Sequence, residues 1–312
     1  MLRQSYIPEN SFPIKPRLGS ASGFRIITDK GKLIICIPGV PKEMKSMFEK
    51  DVVPFLKDMS GKDGLRKKGD KIRKSTLLTT DISEAEIEER IKKVSDAAGK
   101  INVKIGITAD PGLIKIILVA KAPDDVSADR NLKIIEKEIS KNLEGYVYGK
   151  GNSLISDNLK ETISKVNGKL TVSAAESVTG GLISSIITDT PGSSEFFLGG
   201  IVSYSVFSKI NLLGIKRNDI EKYGVVSREI CLEMARKIKV IFGSDYSLSV
   251  TGYAGPEAEG NKKGLVFCGI AGPGGYEKVF KKKFTGSRVE IKFRAAQFIL
   301  KELRLELENF KR

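Results

Sequence analysis

The chain has 312 residues, 40% of them hydrophobic and 29% charged, with a formal net charge of +15 at pH 7. That balance fits a folded chain of about two domains of ~150 residues each and excludes wholesale disorder. No histidine occurs anywhere, which excludes a Ser-His-Asp triad, histidine-ligated zinc and any imidazole base.

The amino terminus, Met1 to Pro8, lacks the apolar core of a signal peptide, and no apolar run approaches the ~18 residues of a membrane span. A cytoplasmic protein with no membrane partner is expected. Phe24 to Thr28 and Leu33 to Ile37 read as short strands, Pro38-Gly39-Val40-Pro41 as a turn, and Lys42 to Leu56 as an amphipathic helix. Two strands and a helix bury too little surface to stand as a domain. Cys36 and Cys268 lie in apolar runs and are expected to be buried, with no disulfide framework.

Residues 58–74 are polar, basic and glycine-punctuated, the composition of a linker. The segment carries a G-x-x-G at Gly61 and Gly64, but no apolar-periodic helix flanks it as an RNA-gripping loop requires. From 75 to 150 the pattern is strand, helix, strand, strand, helix. Ser83 and Glu86 form a capping box before a helix at Glu84 to Val94. Val103 to Thr108 and Leu113 to Lys121 alternate around Asp110-Pro111-Gly112, and a second helix follows from Ala128 to Asn142.

From 151 to 312 strands and helices alternate, the order of a three-layer α/β domain. Strands are expected at Leu170 to Ala174, Gly200 to Ser205, Tyr246 to Thr251, Gly264 to Ala271 and Glu277 to Phe284. Helices are expected at Leu182 to Thr188, Arg228 to Phe242 and Val289 to Asn309. The fold class is thus α/β, with a smaller α+β domain before the three-layer domain and a remnant at the amino terminus.

Three segments concentrate chemistry. Ala174-Ala175-Glu176-Ser177-Val178-Thr179-Gly180-Gly181 joins a strand to a helix. A serine there sits where open α/β sheets place ligands, and helix-start amides can hold a phosphate or an oxyanion. An N-cap serine with packing glycines explains the same residues. Tyr204-Ser205-Val206-Phe207-Ser208-Lys209 ends the next strand. With histidine absent, Lys209 is a candidate base for Ser177 if its pKa falls toward neutrality; otherwise it is one more surface lysine. Thr251-Gly252-Tyr253-Ala254-Gly255-Pro256 lines the same crevice or makes a tight turn, and Arg288 grips a phosphate or decorates the surface.

In combination these stretches resemble the CinA family, together with Pro191-Gly192-Ser193-Ser194 and Gly224-Val225-Val226-Ser227 in the expected order. Residues 75–150 resemble the family's KH-like middle domain. Residues 1–57, through Ile37-Pro38-Gly39-Val40-Pro41-Lys42-Glu43-Met44, resemble only the end of its molybdopterin-binding-type amino-terminal domain. That fragment is expected not to support the family's pyrophosphatase activity.

The resemblance implies an amidohydrolase that deamidates nicotinamide mononucleotide without metal or cofactor. It places Ser177 as nucleophile, Lys209 as base and Tyr204 at the catalytic centre. Glu176, Thr179, Gly180, Gly181, Gly252, Ala254, Gly255 and Arg288 are expected to bind substrate. A small phosphorylated nucleotide is the implied partner, the implied assembly is a homodimer, and nucleic-acid binding is expected to be weak or absent.

Three positions depart from the family pattern: Val206 replaces an Asn, Leu265 a Thr, and Glu257-Ala258-Glu259-Gly260 a glycine-rich stretch. A catalytically decayed nucleotide- or nucleic-acid-binding protein is the alternative.

Overall fold

The computed structural model describes residues 6–62, 70–110, 112–166, 169–255 and 262–309. The chain divides into two compact units, Met1–Asp70 and Lys71–Arg312.

In the first unit β1 (Phe12–Ile14), β2 (Gly23–Ile27) and β3 (Leu33–Cys36) form an antiparallel sheet in that order. The helix that follows has three parts: α1 (Pro41–Met47), a π-helical turn (Phe48–Val52) and α2 (Val53–Lys62). Pro54 removes an amide donor and crowds the preceding turn, which the wider π turn accommodates. A small core of Ile14, Met47 and Val52, with Ile35 and Ile37 against it, joins helix to sheet. Cys36 falls on the other side of β3 and is exposed, not buried as expected. One-sided packing explains this: an apolar run looks buried in sequence, but here only alternate residues have a helix to face.

The second unit opens with β4 (Lys71–Thr79), α3 (Glu84–Lys100), β5 (Val103–Asp110), β6 (Leu113–Ala122), α4 (Asp125–Asn142) and β7 (Val147–Lys150). The strand order is β5-β6-β4-β7, with both helices on one face. Helix to Lys62 and strand from Lys71 occupy much of the stretch expected to be a linker. Gly64 of the G-x-x-G lies outside the described residues. Only half of the expected capping box forms: Ser83 Oγ accepts from the Glu86 amide, while the Glu86 carboxylate accepts from Arg90.

After α5 (Ile155–Ser164) the chain builds a five-stranded sheet of order β12-β11-β10-β8-β9. Its strands are β8 (Val172–Glu176), β9 (Phe197–Val202), β10 (Tyr246–Gly252), β11 (Leu265–Ala271) and β12 (Glu277–Lys283). β8 is parallel to both neighbours, and β11 and β12 are antiparallel additions. α6 (Leu182–Thr188), α5 and the long α10 (Arg288–Asn309) cover one face. α7 (Val206–Asn211), α8 (Arg217–Tyr223) and α9 (Arg228–Phe242) follow β9, and α8 and α9 cover the opposite face.

The chain leaving β8 therefore turns to one side of the sheet and the chain leaving β9 to the other. Diverging connections from adjacent parallel strands open a crevice at their carboxyl ends. β9 starts three residues earlier than expected, so Tyr204 and Ser205 lie beyond the strand. α5, α7 and α8 are additional to the helices expected from the sequence. They are short or amphipathic over too few residues for periodicity to register.

Candidate functional site

Just beyond the carboxyl ends of β8 and β9 the Ser177 and Lys209 side chains meet. Ser177 directly follows β8, and its amide donates to Val250 O of the adjoining β10. Lys209 reaches the same place from the other side. Ser205 caps α7, exchanging hydrogen bonds with Ser208. Lys209 lies one turn further on, and helical side chains lean toward their amino terminus. Its Nζ thereby returns to the strand ends, donating to Ser203 O at 2.6 Å and to Ser177 Oγ at 3.0 Å.

Lys209 is fully buried and Ser177 is 7% exposed. Burial pushes the Lys209 pKa down to about 8, because desolvation penalises the ammonium form. A nearby cation such as Arg288 is not what lowers it. At pH 7 about a tenth of such an amine is neutral and able to accept a proton.

Glu176 has a different place from the one expected. It is fully buried, and its carboxylate accepts from the amides of Gly181, Ile183 and Ser184 and from Ser184 Oγ. It therefore neutralises the first turn of α6 from within instead of facing a substrate. The Gly180 amide donates to Ser177 O. These helix-start amides, expected to be open to an anion, are already occupied by the protein's own acceptors. Nor is Ser177 the N-cap: Gly181 holds that position with φ 94°.

Gly252 and Ala254 serve packing. A Cβ on Gly252 would meet Leu265 O at 2.7 Å, and Ala254 belongs to the core. Thr179 is fully buried with an unpartnered Oγ1, and Ser203 Oγ is likewise unpartnered.

At the mouth, Arg288 Nη2 donates to Tyr204 Oη at 2.8 Å, and Arg288 borders Gly255. Lys292, not singled out from the sequence, stands one turn further along α10. Its Nζ is 3.5 Å from where a Gly180 Cβ would lie. The i, i+4 spacing from Arg288 was the available signal. Ser287 and Glu290 cap this end of α10 reciprocally, holding both cations in place.

Of the departures from the family pattern, Val206 packs against the apolar cluster of Leu213, Ile215 and Ile220. Leu265 starts β11, and residues 257–260 lie outside the described residues. The arrangement can transfer a proton from a serine hydroxyl to an amine, the first requirement of serine attack on a carbonyl. Among the described residues no helix is long and apolar enough to cross a membrane.

Comparison with known proteins gives a consistent match. Residues 156–307 match the CinA C-terminal domain, and residues 74–149 match the damage-inducible protein CinA KH domain. A putative competence-damage inducible protein of Halothermothrix orenii is 37% identical over 289 residues, 92% of this chain and 67% of that protein. A CinA-like protein of Kosmotoga olearia is 35% identical over 308 residues, 98% of this chain and 71% of that one. Among solved structures, the competence or damage-inducible protein from Enterobacter asburiae is 28% identical. It covers 50% of this chain and 99% of its own, with a TM-score of 0.47.

Proposed function

The chain belongs to the CinA family, and from that premise we propose that it is an amidohydrolase releasing ammonia from nicotinamide mononucleotide. The observation that carries the reading is the buried 3.0 Å contact between Lys209 Nζ and Ser177 Oγ. In a protein without histidine, an amine held near pKa 8 by burial is the available base for a serine.

Neutral Lys209 takes the hydroxyl proton as Ser177 Oγ bonds to the carboxamide carbon. The resulting ammonium then protonates the leaving nitrogen, ammonia departs, and an acyl ester remains on Ser177. Lys209, neutral again, takes a proton from water as its oxygen attacks the ester. The proton returns to Ser177 Oγ as the nicotinate acid is released. Ser203 O, accepting from Nζ at 2.6 Å, holds the amine on the hydroxyl throughout.

Arg288 and Lys292 supply two cations on one helix face for the substrate's phosphate. Tyr204, bonded to Arg288, orients that guanidinium. Val206 replaces a polar residue of the family pattern but packs into the apolar cluster, leaving the Ser177–Lys209 contact intact.

The test is ammonia release from the mononucleotide by the purified chain, with Ser177→Ala as control. Turnover that vanishes in the control supports the assignment. A well-folded wild-type chain that releases no ammonia supports instead the non-catalytic, nucleotide-binding alternative.

A further inference from the structure

Where the β4–β7 layer meets α10 there is a half-open cleft of about 360 Å³. The loop from β4 to α3, Thr80 to Ser83, forms part of its lining, and Phe284 and Arg294 form another part. Ile82, Leu113 and Ile114 add to the apolar surface beside Phe284. The β5–β6 turn presses on the stem of Arg294: a Cβ on Gly112 would lie 3.2 Å from Arg294 Cγ.

The loop is held along its length. The Thr80 amide donates to Tyr146 O, and Ser83 caps α3. Asp81 between them has φ 59° and pairs with Lys282 and Lys301 at 3.0 and 2.7 Å. A left-handed residue other than glycine persists where its surroundings over-determine it. These pairs neutralise Asp81, and Glu86 pairs with Arg90. Two charges of the lining stand apart, Arg294 and the exposed Glu84.

Arg294 is half-buried, and its Nε is enclosed without a hydrogen-bond acceptor. Arg304 Nε is enclosed in the same way, but that guanidinium bonds Glu308 and Gly145 O through its other nitrogens. Arg294 has no such bond among the described residues. Glu290, one turn back on α10, feels its charge but accepts from the Ser287 amide. Thr80, 3% exposed, lines the same cleft, and its hydroxyl has no partner among the described residues.

We propose that this cleft binds a small organic monocarboxylate with an apolar or aromatic body, its carboxylate held by Arg294 and Thr80. An enclosed polar group without a partner costs about 1–3 kcal/mol, and a carboxylate is the group that a guanidinium fork matches. The apolar lining takes the body. The cleft is at the small end of the usual range for ligand sites, which limits that body to about one or two rings. Glu84 selects against phosphate, because a carboxylate beside a single cation repels a dianion more than a monoanion. The inference is independent of the amidohydrolase assignment.

The full chain is titrated with benzoate, benzamide and phenyl phosphate by ligand-observed NMR, and thermal midpoints verify that the variants fold. Benzoate is expected to bind with Kd of about 1 mM or tighter, and the other two at least about fivefold more weakly. Arg294→Leu should weaken benzoate by about tenfold or more. Arg288→Leu, which alters the Tyr204 site, should leave benzoate within about twofold. Glu84→Lys changes an exposed side chain and tests the cleft without touching Arg294; it should tighten phenyl phosphate about threefold or more. The proposal is overturned if benzoate fails to bind up to about 10 mM, or if folded Arg294→Leu binds it as wild type does. It is also overturned if benzamide or phenyl phosphate matches benzoate on the wild-type chain, if Arg288→Leu abolishes binding, or if Glu84→Lys leaves phenyl phosphate unchanged.

Discussion

Within the Lys71–Arg312 unit, the stretch up to Lys150 and the stretch after it fill their interiors differently. The first packs two amphipathic helices on alternating strands, with Ile87, Ile91, Ile116, Leu118, Ile135 and Ile139 at its centre. Its buried polar side chains are few: Thr79, Thr80 and Glu136, the last held by Ser75 and Lys150. The second stretch places serines under α9. Ser247 Oγ donates to Ala235 O, Ser249 Oγ to Cys231 O, and Ser173 Oγ meets Ser244 Oγ. It also buries Glu176 and Lys209 completely. A buried polar group costs about 1–3 kcal/mol when left unpaired. Most of these are paired, but Thr179 Oγ1 and Ser203 Oγ, in the segments that carry Ser177 and Lys209, are not, and neither are Asn158 Oδ1 and Gln297 Oε1 of α5 and α10. Complete burial of Glu176 and Lys209 sets the second stretch apart, while the first is packed almost wholly from apolar side chains.

The largest effect that tests this contrast is on rate. Ser177→Ala and Lys209→Ala should each lower kcat/KM by about a thousandfold or more, and the double variant should lose little beyond that, since the two act as a unit. Lys209→Arg should fail equally, because an arginine keeps its proton at working pH. The wild-type rate should climb with pH and level off above about 8, where the buried amine becomes neutral. Near-normal turnover by Lys209→Ala would pass the role of base to water, since the Glu176 carboxylate is committed to α6.

Next in size is Glu176→Ala, which strands three helix amides in the interior and should cost about 3–5 kcal/mol in denaturant unfolding. Glu176→Gln, which retains an acceptor oxygen, should cost less. If Glu176→Ala instead raised KM at unchanged stability, the residue would be at the substrate and the capping role wrong.

Lys209→Met should act in the opposite direction on stability. The folded pKa near 8 lies below the usual lysine value of 10.5, so between these pH values the unfolded chain binds more protons. Wild-type stability therefore rises with pH across that window, and the full penalty applies below about 8. Removing the amine relieves about 3 kcal/mol at pH 7, offset by about 1–2 kcal/mol for Ser203 O left without its donor. A net gain of about 1–2 kcal/mol at pH 7 that shrinks toward pH 10 is expected, alongside lost activity. A destabilised Lys209→Met at pH 7 would mean the lysine contributes more by its contacts than burial costs it.

The smallest effect belongs to the apolar layer. Ser83→Ala removes the acceptor for the Glu86 amide and should cost about 1 kcal/mol, with kcat unchanged.

The local patterns fixed by the chain itself were legible. Leu182 to Thr188 and Arg228 to Phe242 are helices at the bounds that sequence spacing predicts, because apolar spacing and, for the second, a capping serine and a terminal glycine are properties of neighbouring residues. Ser177 and Lys209 were likewise visible as candidates, each at a strand end. What bound them into one site was the parallel pairing of β8 with β9, which brings together side chains 32 positions apart. Burial of Lys209, and hence its lowered pKa, depends on the layers folded around it and has no local signature. The same holds for Glu176, whose carboxylate is enclosed by the first turn of α6. It holds also for Cys36, whose apolar neighbours could not reveal that only one face of its sheet has a helix to pack against. Sequence spacing reports which residues share a face; only the tertiary arrangement decides what that face meets, and desolvation and pairing energies arise there.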